Sequence, residues 1–256
     1  MRLIIIIACL IFFAAPLTVH AQDATQPAAS QKVDCVSDDI ACLLLLLKDT
    51  TADIEEVRWK DQTYRELAKL LTKKHESEEA IKLIRLIENP DTKAMTIRGI
   101  GMAAAESDYD PDTRETIFIM LRDEAEDIEH EPSYAIALTY IALAQAFAGD
   151  DEGAMDTASD MENDALRNKA YGESAEIQAE RGDIDAAMAS IAAIDSVAFR
   201  NKAYRIVSKI FADRDQFDNA LASAMAIENS YQRSQSLLYL LARQISPEEV
   251  TVVGND

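Results

Sequence analysis

Residues 161–195 read MENDALRNKAYGESAEIQAERGDIDAAMASIAAID, and the chain then begins the same pattern again. The segment RNKAY, which runs from Arg167 to Tyr171, recurs from Arg200 to Tyr204, 33 positions later. A period of this length is typical of proteins built from small repeated units that share one continuous core. The sequence therefore predicts a repeat architecture before any single residue predicts a function.

An aliphatic residue followed by an acid marks the end of each unit. The pairs are Ile54-Glu55, Ile87-Glu88, Ile128-Glu129, Met161-Glu162, Ile194-Asp195 and Ile227-Glu228. Their spacings are 33, 41, 33, 33 and 33 residues, so the second interval is eight residues longer than the others. Because insertions in repeat arrays fall in loops, we place the extra residues around Asp108 to Asp112.

Each unit is predicted to form two helices. The apolar stripe of one first helix has the spacing i, i+3, i+4 and i+7: Tyr204, Val207, Ser208 and Phe211. Gly182 and Asp183 suit the turn into a second helix, because glycine tolerates the left-handed helix end and aspartate caps the next helix. Neither helix can bury its stripe alone, so the hairpins must stack. The sequence predicts an all-α protein, an α-solenoid of about five hairpins with a capping helix at each end.

Counted from the residue after Arg167, an aromatic residue falls at position 4, a small residue at 8, Gly182 at 15 and Ala187 at 20. This order resembles the tetratricopeptide-repeat (TPR) family over roughly residues 57–245. The chain departs from that family in its 33-residue period, in tyrosine or aliphatic residues for the usual tryptophan, and in lacking the proline that ends the second helix. The ankyrin family shares the period, but its T-P-L-H-x-A signature is absent.

Residues 1–21 have the pattern of a signal peptide. Arg2 precedes an apolar run from Leu3 to Ala15, and Val19-His20-Ala21 is a small-x-small cleavage site. A run of 13 apolar residues is short for a spanning helix, although an uncleaved anchor is the alternative. We expect a periplasmic or secreted protein, cleaved near Ala21, without stable membrane insertion afterwards.

Three further segments follow: a polar tether at 22–38, the repeat domain at 39–245 and a tail at 246–256. Cys35 and Cys42 are predicted to form a structural disulfide. Within one helix, seven positions would separate them by about 10.5 Å, so Cys35 must lie in the loop before a helix capped by Asp38 or Asp39.

Both ends of the repeat domain carry strongly apolar segments. Ile40 to Glu56 is predicted to form a helix that covers the first hairpin, with Trp59 buried at the joint. The last helix contains LLYLL at 237–241, which is apolar on more than one face. Either the tail residues Val250 to Val253 fold over it, or Leu237, Leu238 and Leu241 contact another chain, including a second copy.

Composition and motifs give no sign of catalysis. The formal net charge of −21 excludes nucleic-acid binding as a default, because phosphate contacts need clustered cations. His75 and His130 lack metal-ligand spacing, and the chain contains no P-loop, Rossmann or nucleophile-elbow motif. The spacing of the aspartates between Asp108 and Asp112 resembles the start of a calcium loop, but a helix start capped by Asp110 explains it better. We expect no enzyme, no cofactor and no metal site.

One charged pattern stands apart from this background. Lys202, Arg205 and Lys209 lie at i, i+3 and i+7, beside the buried stripe of their helix. Equivalent positions carry Arg65, Lys69, Arg98 and Lys169. The TPR resemblance implies that this face lines a concave groove, where cations bind acidic peptides. The alternative is that these cations pair with neighbouring acids at the surface. We also expect the arginines at 167, 200 and 233 to bridge the acid five residues before each.

These patterns favour an exported, non-catalytic protein-protein interaction or scaffolding module that binds a peptide or protein segment, acidic in character, in the groove. The alternative is an envelope assembly or enzyme-accessory factor that self-associates through its C-terminal apolar helix.

Overall fold

A computed structural model describes residues 35–247. The predicted signal peptide, the tether up to residue 34 and the tail from residue 248 lie outside the described residues. Between residues 35 and 247 the chain forms twelve α-helices and one 3-10 helix, with no strand. The protein is therefore all-α in this part, as predicted. No helix in the same span is both long and apolar enough to cross a bilayer.

Six long helices, of 16 to 18 residues, alternate with intervening helices, all but one of which have six to nine residues. The long helices are α2 (Val57–Lys73), α4 (Pro90–Glu106), α6 (Glu131–Ala148), α8 (Asp164–Arg181), α10 (Val197–Asp213) and α12 (Ser230–Ile245). The helices between them are α3 (Ser77–Lys82), which continues into a 3-10 helix (Leu83–Leu86), then α5 (Pro111–Glu126), α7 (Asp151–Ser159), α9 (Ile184–Ala192) and α11 (Phe217–Met225). The first helix, α1 (Ile40–Ala52), precedes them all.

The long helices pack side by side in chain order, each against the next from α2 to α12. Each of them except α12 also contacts the shorter helix that follows it. The predicted stripes are buried between these layers, with Val207 and Phe211 of α10 fully enclosed, as is Ile191 of α9. The buried apolar side chains form one cluster that extends from Tyr64 to Leu240.

The turns between paired helices repeat one backbone conformation. Gly149 and Gly182 adopt φ values of 82° and 87°, in the left-handed region that glycine tolerates. His75 and Asp215 occupy the equivalent positions with φ values of 62° and 59°. The Asp183 side chain then accepts a hydrogen bond from Ala186 N–H and caps α9. The turn chemistry predicted from Gly182 and Asp183 is confirmed.

A buried polar side chain joins the beginning and the end of several units. Asn168 Oδ1 accepts a hydrogen bond from Asp195 N–H at 3.1 Å, and Asn201 Oδ1 accepts one from Glu228 N–H at 2.8 Å. Asp61 accepts two backbone N–H bonds in the same way, at 3.1 and 2.9 Å. These bonds satisfy backbone groups that the helix ends would otherwise leave unpaired.

The insertion in the second unit is not mainly a loop. Helix α5 has 16 residues, whereas α7, α9 and α11 have nine each, so most of the extra residues lengthen a helix. Asp110 caps α5 and Pro111 opens it, which starts the helix directly after a short connection. The longer helix persists because it has an apolar face: Phe118 and Leu121 are buried.

The N-terminal helix also differs from the prediction. Helix α1 ends at Ala52 rather than Glu56. Leu44 and Leu47 pack against the core, but Leu45 remains 64% exposed because a continuous run of leucines covers all faces of a helix. Trp59 was expected in the core and is 54% exposed. Its ring lies 5.1 Å from the guanidinium carbon of Arg58.

The two cysteines lie where the spacing argument requires. Asp39 caps α1 by accepting a hydrogen bond from Cys42 N–H at 3.0 Å, which leaves Cys35 in the preceding loop. The sulfurs are bonded, and the Cα atoms are 5.7 Å apart. The last residues of the predicted tether are therefore tied to α1.

Candidate functional site

The predicted cation stripe is divided among separate places in the structure. Arg65, Lys69 and Arg98 line one pocket between α2 and α4. Lys169 and Lys202 line a second pocket, between α8 and α10. The two remaining cations, Arg205 and Lys209, are outside both sets of lining residues. The seven predicted cations therefore do not line one common pocket.

The α2–α4 pocket is a cavity of about 430 Å³ with an excess of positive charge. Its charged lining residues are Arg65, Lys69, Lys73, Arg98, Glu66 and Glu106. Glu66 accepts a hydrogen bond from Lys69, and its carboxylate lies 3.0 Å from Arg65 Nη2. The hydrogen bond from Lys69, followed by that from Arg65, lowers the pKa of Glu66. Glu66 therefore stays ionised and offsets one positive charge, and the pocket is cationic because its four cations outnumber its two acids.

Glycine shapes one wall of this pocket. A Cβ atom at Gly99 would lie 2.8 Å from Cγ of Lys69, so the lysine stem rests against the bare backbone of α4. Arg98 is held on the other side, with its guanidinium carbon 5.1 Å from the centre of the Tyr140 ring. Sequence reasoning missed Lys73 and Gly99. Both residues belong to the pocket because α2 packs against α4, which the sequence of either helix alone does not show.

The α8–α10 pocket has a different character. It is a cavity of about 320 Å³ whose apolar walls include Leu166, Phe199 and Ile206. Its charged side chains are two lysines and two glutamates: Lys169, Lys202, Glu173 and Glu176. Burial raises the pKa of Glu176, the nearby charge of Glu173 raises it further, and the charge of Lys202 opposes both effects.

Helix α6 separates the two pockets with uncharged side chains. The positions equivalent to Lys202 and Lys209 are Ile136 and Leu143 in this helix, and both are half-buried. Lys209 lies far along α10, where its ammonium group donates to Asp213 at 2.7 Å and to the Tyr239 hydroxyl at 2.9 Å. For Lys209 the surface ion pair, not a groove, is therefore the contact observed.

The arginines at the unit boundaries form a different bridge from the one expected. Arg167 donates to the carbonyl of Met161 at 2.8 Å and to Asp195 at 3.1 Å, rather than to Glu162. Arg200 repeats this with the Ile194 carbonyl and Glu228. Arg167 and Arg200 thus join their own units to the acid that ends the next one, whereas Arg233 donates only to the Ile227 carbonyl, at 3.3 Å, within residues 35–247. The five-residue spacing predicted the wrong acid partner, because the arginine side chains extend across the hairpin instead of toward the preceding acid.

A hydrogen-bonded chain of Asp91, Ser133 and His130 was not expected. Ser133 donates to Asp91, and His130 Nδ1 lies 2.7 Å from Ser133 Oγ. In a hydrolase the histidine lies between the serine and the acid, and the serine is open to substrate. Here the serine lies in the middle and is fully buried. The arrangement links the starts of α4 and α6 and does not present a nucleophile.

The aspartates at 108–112 form a helix start. Asp110 Oδ1 accepts a hydrogen bond from Thr113 N–H at 2.9 Å, and Tyr109 is anchored by donating to the Thr72 carbonyl at 2.7 Å. In the part of the chain covered by the structure, no three or more acid, histidine or cysteine side chains are grouped so that they could hold a metal ion.

The C-terminal helix exposes part of its apolar surface. Leu238 and Leu241 are 66% and 53% exposed, whereas Leu237 is half-buried. The exposed surface extends to Tyr231 and Ile245, which sequence reasoning did not include. All of the exposed side chains of α12 are uncharged: Ser230, Tyr231, Ser234, Gln235, Leu238, Leu241, Ala242, Gln244 and Ile245.

Comparison of the chain with protein-family models, curated proteins and solved structures found no significant match. The resemblance to TPR repeats therefore depends on the residues of this chain alone.

Proposed function

We propose that this protein is an exported, non-catalytic α-solenoid of TPR-like hairpins that binds an acidic segment of another protein. The long helices would form the inner layer of the solenoid. The observation that carries the proposal is the α2–α4 pocket. It gathers four cations against two acids, although the whole chain has a formal net charge of −21.

Electrostatics favours an acidic segment at this pocket. Many of the other cations between residues 35 and 247 lie beside acids, as in the pairs of Arg167 with Asp195 and of Lys209 with Asp213. In the α2–α4 pocket one carboxylate, Glu66, is shared by Arg65 and Lys69, which leaves their combined charge in excess. An acidic ligand would gain charge-assisted hydrogen bonds there, and the surrounding negative protein would repel it elsewhere.

The test is binding of a fluorescein-labelled polyglutamate peptide, measured by fluorescence anisotropy. We expect Arg65→Glu/Lys69→Glu/Arg98→Glu to weaken binding at least about tenfold, or ~1.4 kcal/mol. The matched control is Arg58→Glu/Lys74→Glu/Arg214→Glu, which makes the same change in net charge at exposed sites. Binding should weaken with added salt, because exposed charges are screened. If both triple variants lost the same binding affinity, the change in net charge alone would explain the loss, and the proposal would be wrong.

Self-association through α12 is a second candidate, favoured by its uncharged exposed face. Interface cores are depleted of charged residues and enriched in aromatic ones, and two chains of high negative charge can approach most easily where neither carries charge. Sedimentation equilibrium should show a concentration-dependent dimer that Leu238→Glu/Leu241→Glu abolishes. Leu70→Glu/Leu86→Glu is the control, because these leucines are each 49% exposed on other helices. A strict monomer would exclude this candidate.

A further inference from the structure

The α8–α10 pocket has the shape of a socket for a side chain. Gly172 forms part of its lining and contributes no side chain. A Cβ atom there would lie 3.9 Å from Ala203 Cβ and from Ile194 Cδ1, so it would fit in ordinary van der Waals contact without a clash. Leu166 and Ile206 add apolar surface, and Phe199 stands partly exposed, 40% accessible to solvent.

The charges around this socket cancel. Lys169 Nζ lies 3.7 Å from a Glu173 carboxylate oxygen, and Lys202 is close enough to Glu176 to oppose its protonation. Glu176 forms no hydrogen bond or ion pair with any other residue between 35 and 247. A charged ligand group would therefore meet a like charge as closely as an opposite one, whereas an apolar group would meet matching walls.

We propose that the α8–α10 pocket binds an apolar side chain of the same partner segment whose acidic residues occupy the α2–α4 pocket. This inference rests on the proposed function, since it assigns a second anchor to that ligand. Ligand sites are commonly lined by apolar side chains with a few polar groups, which is the composition found here.

The packing order of the helices fixes the distance between the two anchors. From the α2–α4 pocket to the α8–α10 pocket there are three interhelical steps, through α4, α6 and α8. Packed helices are about 9 Å apart, so the pockets are separated by roughly 27 Å. An extended chain advances about 3.3 Å per residue, so the apolar residue should lie about eight residues from the acidic ones.

The test uses fluorescein-labelled peptides with a run of glutamates and one phenylalanine about eight residues away, made in both chain directions. The matched peptides replace phenylalanine with serine or shorten the spacer to about three residues. We expect the best phenylalanine peptide to bind about tenfold more tightly than its serine counterpart. The short spacer should lose this gain.

Two variants test whether the higher affinity for the phenylalanine peptide comes from the α8–α10 pocket. Gly172→Leu fills the socket and should remove the preference for phenylalanine while leaving the serine peptide bound as before. Ile206→Ser, which keeps the helix but weakens a wall, should reduce the preference in part. Circular dichroism checks that both variants remain helical. If wild-type protein binds the phenylalanine and serine peptides equally, the inference is wrong and the proposed function stands. If it binds neither, both are wrong.

The pH dependence distinguishes an apolar occupant from a cationic one. An apolar side chain would remove water from Glu176 and favour its neutral form, so the preference for phenylalanine should increase as pH falls from about 8 to about 5.5. The other charged groups near Glu176 are Glu173, Lys169 and Lys202 in the pocket and Glu180 outside it; they affect both peptides and cancel in the ratio. Glu176→Gln should remove the trend. A preference for a lysine-containing peptide that strengthens with rising pH would overturn the proposal.

Discussion

At the scale of single residues, the buried amides that receive backbone N–H groups should contribute to stability. Asn201 is 5% exposed and accepts the Glu228 N–H at 2.8 Å. Asn201→Ala leaves that partly buried donor without its partner, so we expect a loss of about 1 kcal/mol in the free energy of unfolding. Urea denaturation followed by circular dichroism measures it. Ser234 occupies the equivalent position in α12 but is exposed, so Ser234→Ala should change stability by no more than about 0.5 kcal/mol. Equal effects would contradict this role.

Glu176 should make stability depend on pH in an unusual direction. Burial raises its pKa above the ordinary value of 4.5, so the ionised carboxylate destabilises the folded state at neutral pH. That penalty is present above the folded-state pKa and is lost as pH falls through it toward 4.5. Glu176→Gln should therefore be more stable than wild type near pH 7.5 and equal to it near pH 4. Thermal unfolding across this range provides the measurement, with the exposed Glu180→Gln as control. A constant difference at all pH values would argue against this cause.

At the scale of elements, the sequence predicted which helix faces are buried better than it predicted helix lengths or the exposure of the residues between helices. The i, i+3, i+4, i+7 stripe that contains Val207 and Phe211 was predictable because a buried helix face has that period. The length of α5 was not, because Asp110 and Pro111 suit both a loop and a helix start. The exposure of Trp59 was not predictable either, since burial depends on whether another element covers the position.

The disulfide should stabilise α1 locally. It closes a short loop, with a sequence separation of seven, so its contribution is about 2 kcal/mol on the chain-entropy account. Because α1 is a terminal helix, we expect Cys35→Ser/Cys42→Ser to speed amide hydrogen exchange in residues 35–52 and to leave α6 unchanged. Exchange measured by mass spectrometry, beside wild type treated with dithiothreitol, tests this. Unchanged exchange in α1 would show that the bond does not hold the helix.

At the scale of the whole molecule, only part of the candidate site could be predicted from the sequence. The cations at 65, 69 and 98 were predictable from their shared position in the period, and the structure brings them into one pocket. The sequence shows uncharged residues at Thr139 and Leu143 of α6, where other units carry cations, but the consequence depends on the side-by-side packing of α4, α6 and α8. The apolar pocket between α8 and α10 has no local sequence signal, because its walls come from two helices about 33 residues apart.

A linear stack of hairpins should also lose stability in parts rather than all at once, because each unit contacts only its neighbours. Leu240 in α12 is 6% exposed and Leu121 in α5 is fully buried, so each change to alanine should cost about 2 kcal/mol or more where it occurs. We expect Leu240→Ala to speed hydrogen exchange in α10, α11 and α12 while α2 and α4 keep their protection. Leu121→Ala should instead speed hydrogen exchange in the helices that pack around α5 and leave the exchange rate of α12 near that of wild type. If either variant lowered protection equally from α1 to α12, the helices would form one cooperative core, and the solenoid proposed for this chain would be wrong.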